Sequence, residues 1–197
     1  MPMTPSTMLE LGTSLPFFLL PDIDGAPISS TQFHGSPLLV VFLCPHCPVV
    51  RHIRNRLAQF ALDYQAKGLS IVAINSNDTI AFPDDNLEGM WKEIGDAGYT
   101  FPYLIDDSQE VAKAFHAACT PDFFLFDHHH RLVYRGQFDS SRPGNQIPTT
   151  GSDLRAAADA VLVGVEPSSI QKPSVGCNIK WKFGNEPEYF SVPVLTR

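Results

Sequence analysis

Leu38-Leu-Val-Val-Phe-Leu-Cys44-Pro-His-Cys47-Pro-Val-Val50 decides how this chain is read. The unbroken apolar run 38–43 has the length and composition of a strand buried on both faces. From Cys44 the pattern changes. Val49 or Val50, Ile53, Leu57, Phe60 and Tyr64 recur at spacings of three and four, while Arg51, His52, Arg54, Asn55, Arg56 and Gln59 fill the opposite face. That is an amphipathic helix, expected over about 45–66 and closed by Lys67-Gly68. Two cysteines three residues apart therefore stand where a buried strand gives way to a helix.

Such a junction suits thiol chemistry. The first N–H groups of a helix have no intrahelical partner, and the macrodipole adds partial positive charge there. With Cys44 at the N-cap, those donors stabilise its thiolate, which is the nucleophilic form. Pro45 then takes the first helical position, where a missing N–H costs little. His46 brings a ring donor beside the sulfur, and Cys47 lies one turn on, close enough to close a small disulfide ring. Pro48 is expected to remove one early helical hydrogen bond. On this reading Cys44 is the more acidic and more exposed thiol.

Composition narrows the partners. At 197 residues the chain is one domain with room for a substantial core, and 44% apolar with 18% charged residues is ordinary for a globular protein. Fourteen basic against 21 acidic residues give a net charge of −7, with no basic run, which argues against nucleic acid and anionic membrane. The apolar stretch 15–20 is too short to span a bilayer. Residues 1–12 lack a cationic start followed by an apolar core, so no signal peptide and a cytoplasmic setting are expected. Four cysteines are too few for a secreted disulfide scaffold, and Cys-x-x-Cys in this setting favours redox catalysis.

Along the chain, strands at 17–20 and 27–29 form an N-terminal hairpin around Pro21-Asp-Ile-Asp-Gly25. The central strand, the long helix and a buried strand at 69–74 make a right-handed parallel βαβ unit. The polar loop 75–85 lies at that strand's C-terminal end, where open α/β sheets place their sites. Its Asn, Ser and Asp residues are read as turn residues and caps for a helix at 86–97. A strand at 103–105, a helix through Val111, Ala114 and Phe115, a turn and apolar strand over 119–126, and an alternating strand at 131–135 follow. A last helix spans 152–163. The domain is expected over 12–164, with 165–197 an irregular arm packed on it that carries Cys177 and Trp181.

Other sites weigh less. A zinc site built on Cys44 and Cys47 needs two more ligands of matching spacing, and Cys119 and Cys177 stand alone, so neither metal nor cofactor is expected. His128–His130 sit at a hairpin tip, where neighbouring side chains diverge, and are read as solvated turn residues. His116 is read as a helix-end cap, and His34 and His52 have no partner the sequence names. Pro121, just before a buried strand, belongs at a strand's first residue or in a tight turn.

Taken together, these pieces resemble a known family. Cys-x-x-Cys at a βα junction, a distant Thr120-Pro121 before a strand, and this order of elements are similar to the thioredoxin fold. More narrowly, the chain resembles the peroxiredoxin-like branch of the alkyl hydroperoxide reductase and thiol-specific antioxidant family over about 12–183. The most specific pieces are Cys44-Pro-His-Cys-Pro48, Asn75-Ser-Asn-Asp78, Tyr99-Thr-Phe-Pro-Tyr103, Ser108-Gln-Glu-Val-Ala-Lys113, Cys119-Thr-Pro-Asp-Phe-Phe-Leu-Phe-Asp127, Tyr134-Arg-Gly136 and Pro173-Ser-Val-Gly-Cys-Asn-Ile-Lys-Trp-Lys182. The resemblance implies an α/β fold with a central mixed sheet flanked by helices, and a cis bond before Pro121 set against the cysteine pair.

It also implies a thiol-disulfide oxidoreductase in which Cys44 attacks, Cys47 resolves, and Pro45, His46, Thr120 and Pro121 support the thiolate and shape the partner's groove. Partners would be protein or small disulfides and thiols. A peroxidase acting on hydroperoxides and a non-catalytic redox sensor are the alternatives. True peroxiredoxins carry Pro-x-x-x-Thr-x-x-Cys; Pro37 is in register here, but Val41 stands at the Thr position. Cys119 and Cys177 are possible further redox thiols. Cys119 sits in the turn that a thioredoxin fold lays against the pair, whereas nothing in the sequence places the arm over the site.

Overall fold

The apolar run becomes β4 (Leu38–Phe42), buried at every residue, and it is the middle strand of a five-stranded sheet. The computed structural model describes residues 3–190. The sheet order is β6 (Tyr103–Ile105), β5 (Ser70–Asn75), β4, β8 (Asp122–Phe126), β9 (Leu132–Gly136). β6, β5 and β4 run parallel, and β8 and β9 are antiparallel to their neighbours. Successive β4 side chains point to opposite faces, and both faces are covered. Leu39 and Val41 meet α1 (Pro48–Gln65) and α4 (Ser152–Leu162); Leu38, Val40 and Phe42 meet Phe115, Phe124, Phe126 and Trp181. Full burial of one such side chain stabilises the fold by roughly 1.5–3 kcal/mol, which is why no polar residue interrupts this run.

The helix after β4 starts later than the sequence pattern implied. α1 begins at Pro48, with Cys47 as its N-cap in an extended conformation (φ −67°, ψ 121°). A proline disfavours helical geometry in the residue before it, and both Cys44 and Cys47 precede one. Cys44, Pro45 and His46 therefore form a turn, and Pro48 occupies the first helical position, where it fits without loss. α2 (Leu87–Ala97) and α3 (Glu110–Ala114) complete the layers. The expected N-terminal hairpin is β2 (Leu19–Pro21) paired with β3 (Pro27–Ser29).

His130 departs from expectation. It is buried, its Nε2–H donates to the Phe33 carbonyl at 3.1 Å, and its ring stacks on His34 at 5.2 Å, because the hairpin tip folds back over a short helical turn at Ser30–Phe33. Only His128 and His129 of the triplet are solvated.

The arm is also more ordered than its composition implied. β10 (Val175–Asn178) pairs antiparallel with β1 (Met3–Pro5) on one edge and with β7 (Cys119–Thr120) on the other. The portion of the expected arm at 191–197 lies outside the described residues. Gly176 permits the close approach: a Cβ there would collide with the Thr120 carbonyl and lie 3.3 Å from Pro121 Cδ. Overpacking of this kind costs about 1–3 kcal/mol. Gly176→Ala is expected to lose that much in urea unfolding, and an unchanged midpoint would mean that β10 does not seat this closely.

Candidate active site

β4 ends at Phe42, and Leu43 stays anchored through its N–H to the Ile74 carbonyl at 3.0 Å. The chain then turns, so Cys44 and Cys47 lie between the end of the sheet and the start of α1. The register Phe42↔Asp122 brings Thr120-Pro121 to the same place, and the peptide bond between them is cis. Cys44 Sγ lies 3.2 Å from the Thr120 hydroxyl and 3.8 Å from His46 Nδ1. The Cys47 thiol donates to the Thr120 carbonyl at 3.1 Å. Arg51 Nε–H fixes the turn by donating to the Pro45 carbonyl at 2.8 Å.

One residue here was not legible as part of a site. Asp85, at the end of the polar loop after β5, is fully buried and meets His46 twice: its Oδ1 accepts the backbone N–H at 3.0 Å, and its Oδ2 faces Nδ1 at 2.5 Å. Asn77 Nδ2 adds a donor to Oδ2 at 2.8 Å, and Asn75 Nδ2 donates to the Asp85 backbone carbonyl at 2.7 Å. The sequence reading gave this loop a capping role, which Asn86 performs by accepting from the Gly89 amide. The available signal was the loop's position at the carboxyl end of β5, beside the central strand. Cys44 Sγ, His46 Nδ1 and one Asp85 oxygen lie within 4.8 Å of one another, so these are the described residues placed to hold a metal ion.

The electrostatics differ from the sequence expectation. Both cysteines of the pair are buried, neither more exposed than the other. Burial, reinforced by the Cys47 thiol and the Asp85 charge, pushes Cys44 well above the usual thiol range. Cys47 goes the other way, lowered by the neighbouring Cys177 and Cys44 thiols and, in smaller part, by the Val50 and Cys177 amides. Cys47, not Cys44, is thus the more acidic of the two. The leading cause is the neighbouring Cys177 and Cys44 thiols, with the Val50 amide of the first helical turn a smaller one.

The structure places Cys177, rather than Cys119, with the pair. Cys177 pairs with Thr120 in the ladder, and residues directly opposite share a face, so its thiol joins Cys44 and Cys47 in one buried cluster. Cys119, one residue from Thr120, points to the other face, with its thiol 3.7 Å from the Pro121 carbonyl. The groove expected along Thr120-Pro121 for an extended partner is filled by β10 of the same chain. A cleft of about 590 Å³ opens at Pro45, lined among others by Arg51, Arg54, Asp84, Lys92 and Glu93.

A family model described as Redoxin matches residues 10–154. The chain belongs to the Redoxin family. Among curated Redoxin relatives, the thiol-disulfide oxidoreductase ResA of Geobacillus thermodenitrificans is 27% identical over 124 residues, 63% of this chain and 67% of that protein. A Mycobacterium tuberculosis protein carrying the peroxiredoxin name is 31% identical over 120 residues, 58% of this chain and 69% of its own. These relatives are oxidoreductases by name, acting on thiols and disulfides or classed with peroxiredoxins. Among solved structures, a hypothetical protein of Sinorhizobium meliloti 1021 is 54% identical, with a TM-score of 0.89 over 92% of this chain and 100% of that one. A thiol:disulfide interchange protein DsbE of Chlorobium tepidum, 21% identical with a TM-score of 0.63 over 78% of this chain and 99% of its own, shares the thioredoxin-like fold. Among the described residues, no helix is long and apolar enough to cross a membrane.

Two acids near the site give separate tests. Asp122, fully buried just after Pro121, has one carboxyl oxygen without a partner, and burial raises it to about 7. An unfolded carboxyl of this kind titrates near ~3.9. Between those values the folded protein keeps a proton that the unfolded chain releases. Its stabilising contribution is therefore whole below about pH 4 and lost as pH rises through 7. The stability of Asp122→Asn relative to wild type is expected to rise between pH 5 and pH 8 in urea unfolding; parallel curves would show that the carboxyl holds no such proton. Asp85→Ala strands buried donors of His46 and Asn77, each unmet group costing about 1–3 kcal/mol. A loss in that range is expected, and a wild-type midpoint would exclude this network from the folded state.

Proposed function

We propose that this Redoxin is a thiol-disulfide oxidoreductase working through the Cys44–Cys47 pair of Cys44-Pro-His-Cys47, with residues 12–164 as the catalytic domain and 165–197 as an arm on it. The observation that carries the reading is the placement of both sulfurs on Thr120, with the His46–Asp85 pair beside Cys44. Cys44 gives up its proton to solvent, and its thiolate, beside the Thr120 hydroxyl at 3.2 Å, attacks a partner's disulfide. One partner sulfur leaves as a thiolate, and a mixed disulfide with Cys44 remains. Cys47, the sulfur with the lowered pKa, then attacks Cys44 and releases the second partner thiol. The balance is one partner disulfide reduced to two thiols and one Cys44–Cys47 disulfide formed.

The occupied β7 edge favours small disulfides, or protein segments entering by the cleft at Pro45, over a partner strand laid along Pro121. Val41 supports disulfides over hydroperoxides as substrates. It is buried between Ala73 and Phe123 and offers no hydroxyl to a peroxide. The cytoplasmic setting belongs to the same proposal and rests on the small cysteine complement.

The test is turnover of a protein disulfide and of a small disulfide with excess dithiol as reductant. Wild type is expected to turn over, Cys44→Ser to fall to background, and Cys47→Ser to accumulate mixed disulfides through Cys44. Retained turnover in Cys44→Ser would remove the assignment. Fast Cys44-dependent peroxide consumption, without disulfide turnover, would make the protein a peroxidase instead.

A further inference from the structure

The arm holds a third sulfur in the site. β10 is tied down on both sides of Cys177: the Ser6 amide donates to the Ser174 carbonyl at 2.8 Å, and the Ile179 amide to the Ala118 carbonyl at 3.1 Å. Between these ties Cys177 faces Thr120, whose hydroxyl and carbonyl contact Cys44 and Cys47 respectively. Cys177 packs in the same buried cluster as Cys44 and Cys47, on the face of the ladder that Thr120 presents to both. β10 also takes the antiparallel position on β7 that an extended partner would otherwise use. The strand thereby presents a cysteine to the pair as a bound partner would present its own.

We propose that Cys177 is a third redox thiol, which attacks Cys47 in the Cys44–Cys47 disulfide. The inference rests on that pair being the redox centre. The Cys44–Cys47 bond breaks, the Cys47–Cys177 bond forms, and the proton of Cys177 passes to the released Cys44 sulfur. No electrons are gained or lost, so no outside oxidant is needed for the step. Cys44, beside the His46–Asp85 pair, becomes free to attack a second partner while the oxidation is held on Cys47 and Cys177. Reversal, with Cys44 attacking Cys47, returns the disulfide to the pair. Cys119 takes no part, since it faces away from the cluster.

The experiment oxidises reduced wild-type protein with one equivalent of diamide, quenches with acid at timed intervals, alkylates free thiols, and maps disulfides after peptic digestion at low pH. The expected result is a Cys47–Cys177 peptide that grows at the expense of Cys44–Cys47, with alkylated Cys44 appearing in step. Cys177→Ser is expected to abolish that species while keeping Cys44–Cys47, and Cys119→Ser to change nothing. A Cys44–Cys47 disulfide that persists with Cys177 alkylated throughout would overturn the relay and leave the pair intact. Protein that forms neither disulfide would overturn the pair and the relay together.

Discussion

Thr120 contacts both cysteines, through its hydroxyl to Cys44 and its carbonyl to Cys47, across 76 and 73 residues of sequence. That double contact joins the two halves of the fold, the parallel βαβ half that carries Cys44 and Cys47 and the antiparallel half beginning at Asp122. It depends in turn on the pairing of β4 with β8, because Phe42↔Asp122 fixes where the turn before β8 must lie. A slip of one residue in that register would turn every β8 side chain to the other face and carry Thr120 off the sulfurs. The apolar composition of β4, and of β8 after Asp122, serves the site indirectly, by holding this register against both packed layers.

What could be read from the sequence was what is local. β4 and α1 announce themselves by periodicity, and the Cys-x-x-Cys between them needs no distant contact to be noticed. The start of α1 was misplaced because the reading weighed helix-dipole chemistry at Cys44 above the conformational bias imposed by Pro45 and Pro48. That error assigned the N-cap to the wrong cysteine, and with it the wrong order of acidity. Asp85 and Cys177 were hidden for another reason. Asp85 matters through His46, 39 residues earlier in the chain. Cys177 matters through a ladder between β10 and β7, elements of four and two residues with no alternating pattern to mark them.

The two buried acids near the site have unlike partners. Asp85 is met by the His46 amide, the His46 ring and the Asn77 side chain, so its carboxylate has donors on both oxygens. Asp122 has the Ala118 amide at 3.3 Å on one oxygen and nothing on the other. Desolvation then dominates and raises the Asp122 carboxyl to about 7. One acid is arranged to hold a histidine beside a sulfur; the other is close to neutral where the chain enters β8.

The same logic orders the thiols. Removing a thiolate from water disfavours it, and that effect pushes Cys44 and Cys119 upward. Cys47 escapes, lowered by two neighbouring thiols and, in smaller part, by the amides of Val50 and Cys177. Within this cluster of buried sulfurs only Cys47 is lowered, while Cys44 and Cys177 are raised. Thiol–disulfide exchange requires a thiolate aligned with a disulfide sulfur. Its lowered pKa suits Cys47 to resolve a mixed disulfide on Cys44. Once Cys47 is oxidised its charge is gone, Cys177 loses the anion beside it that raised its pKa, and its own ionisation becomes easier. The arm thus places against Cys47 a thiol that gains reactivity when the pair becomes oxidised.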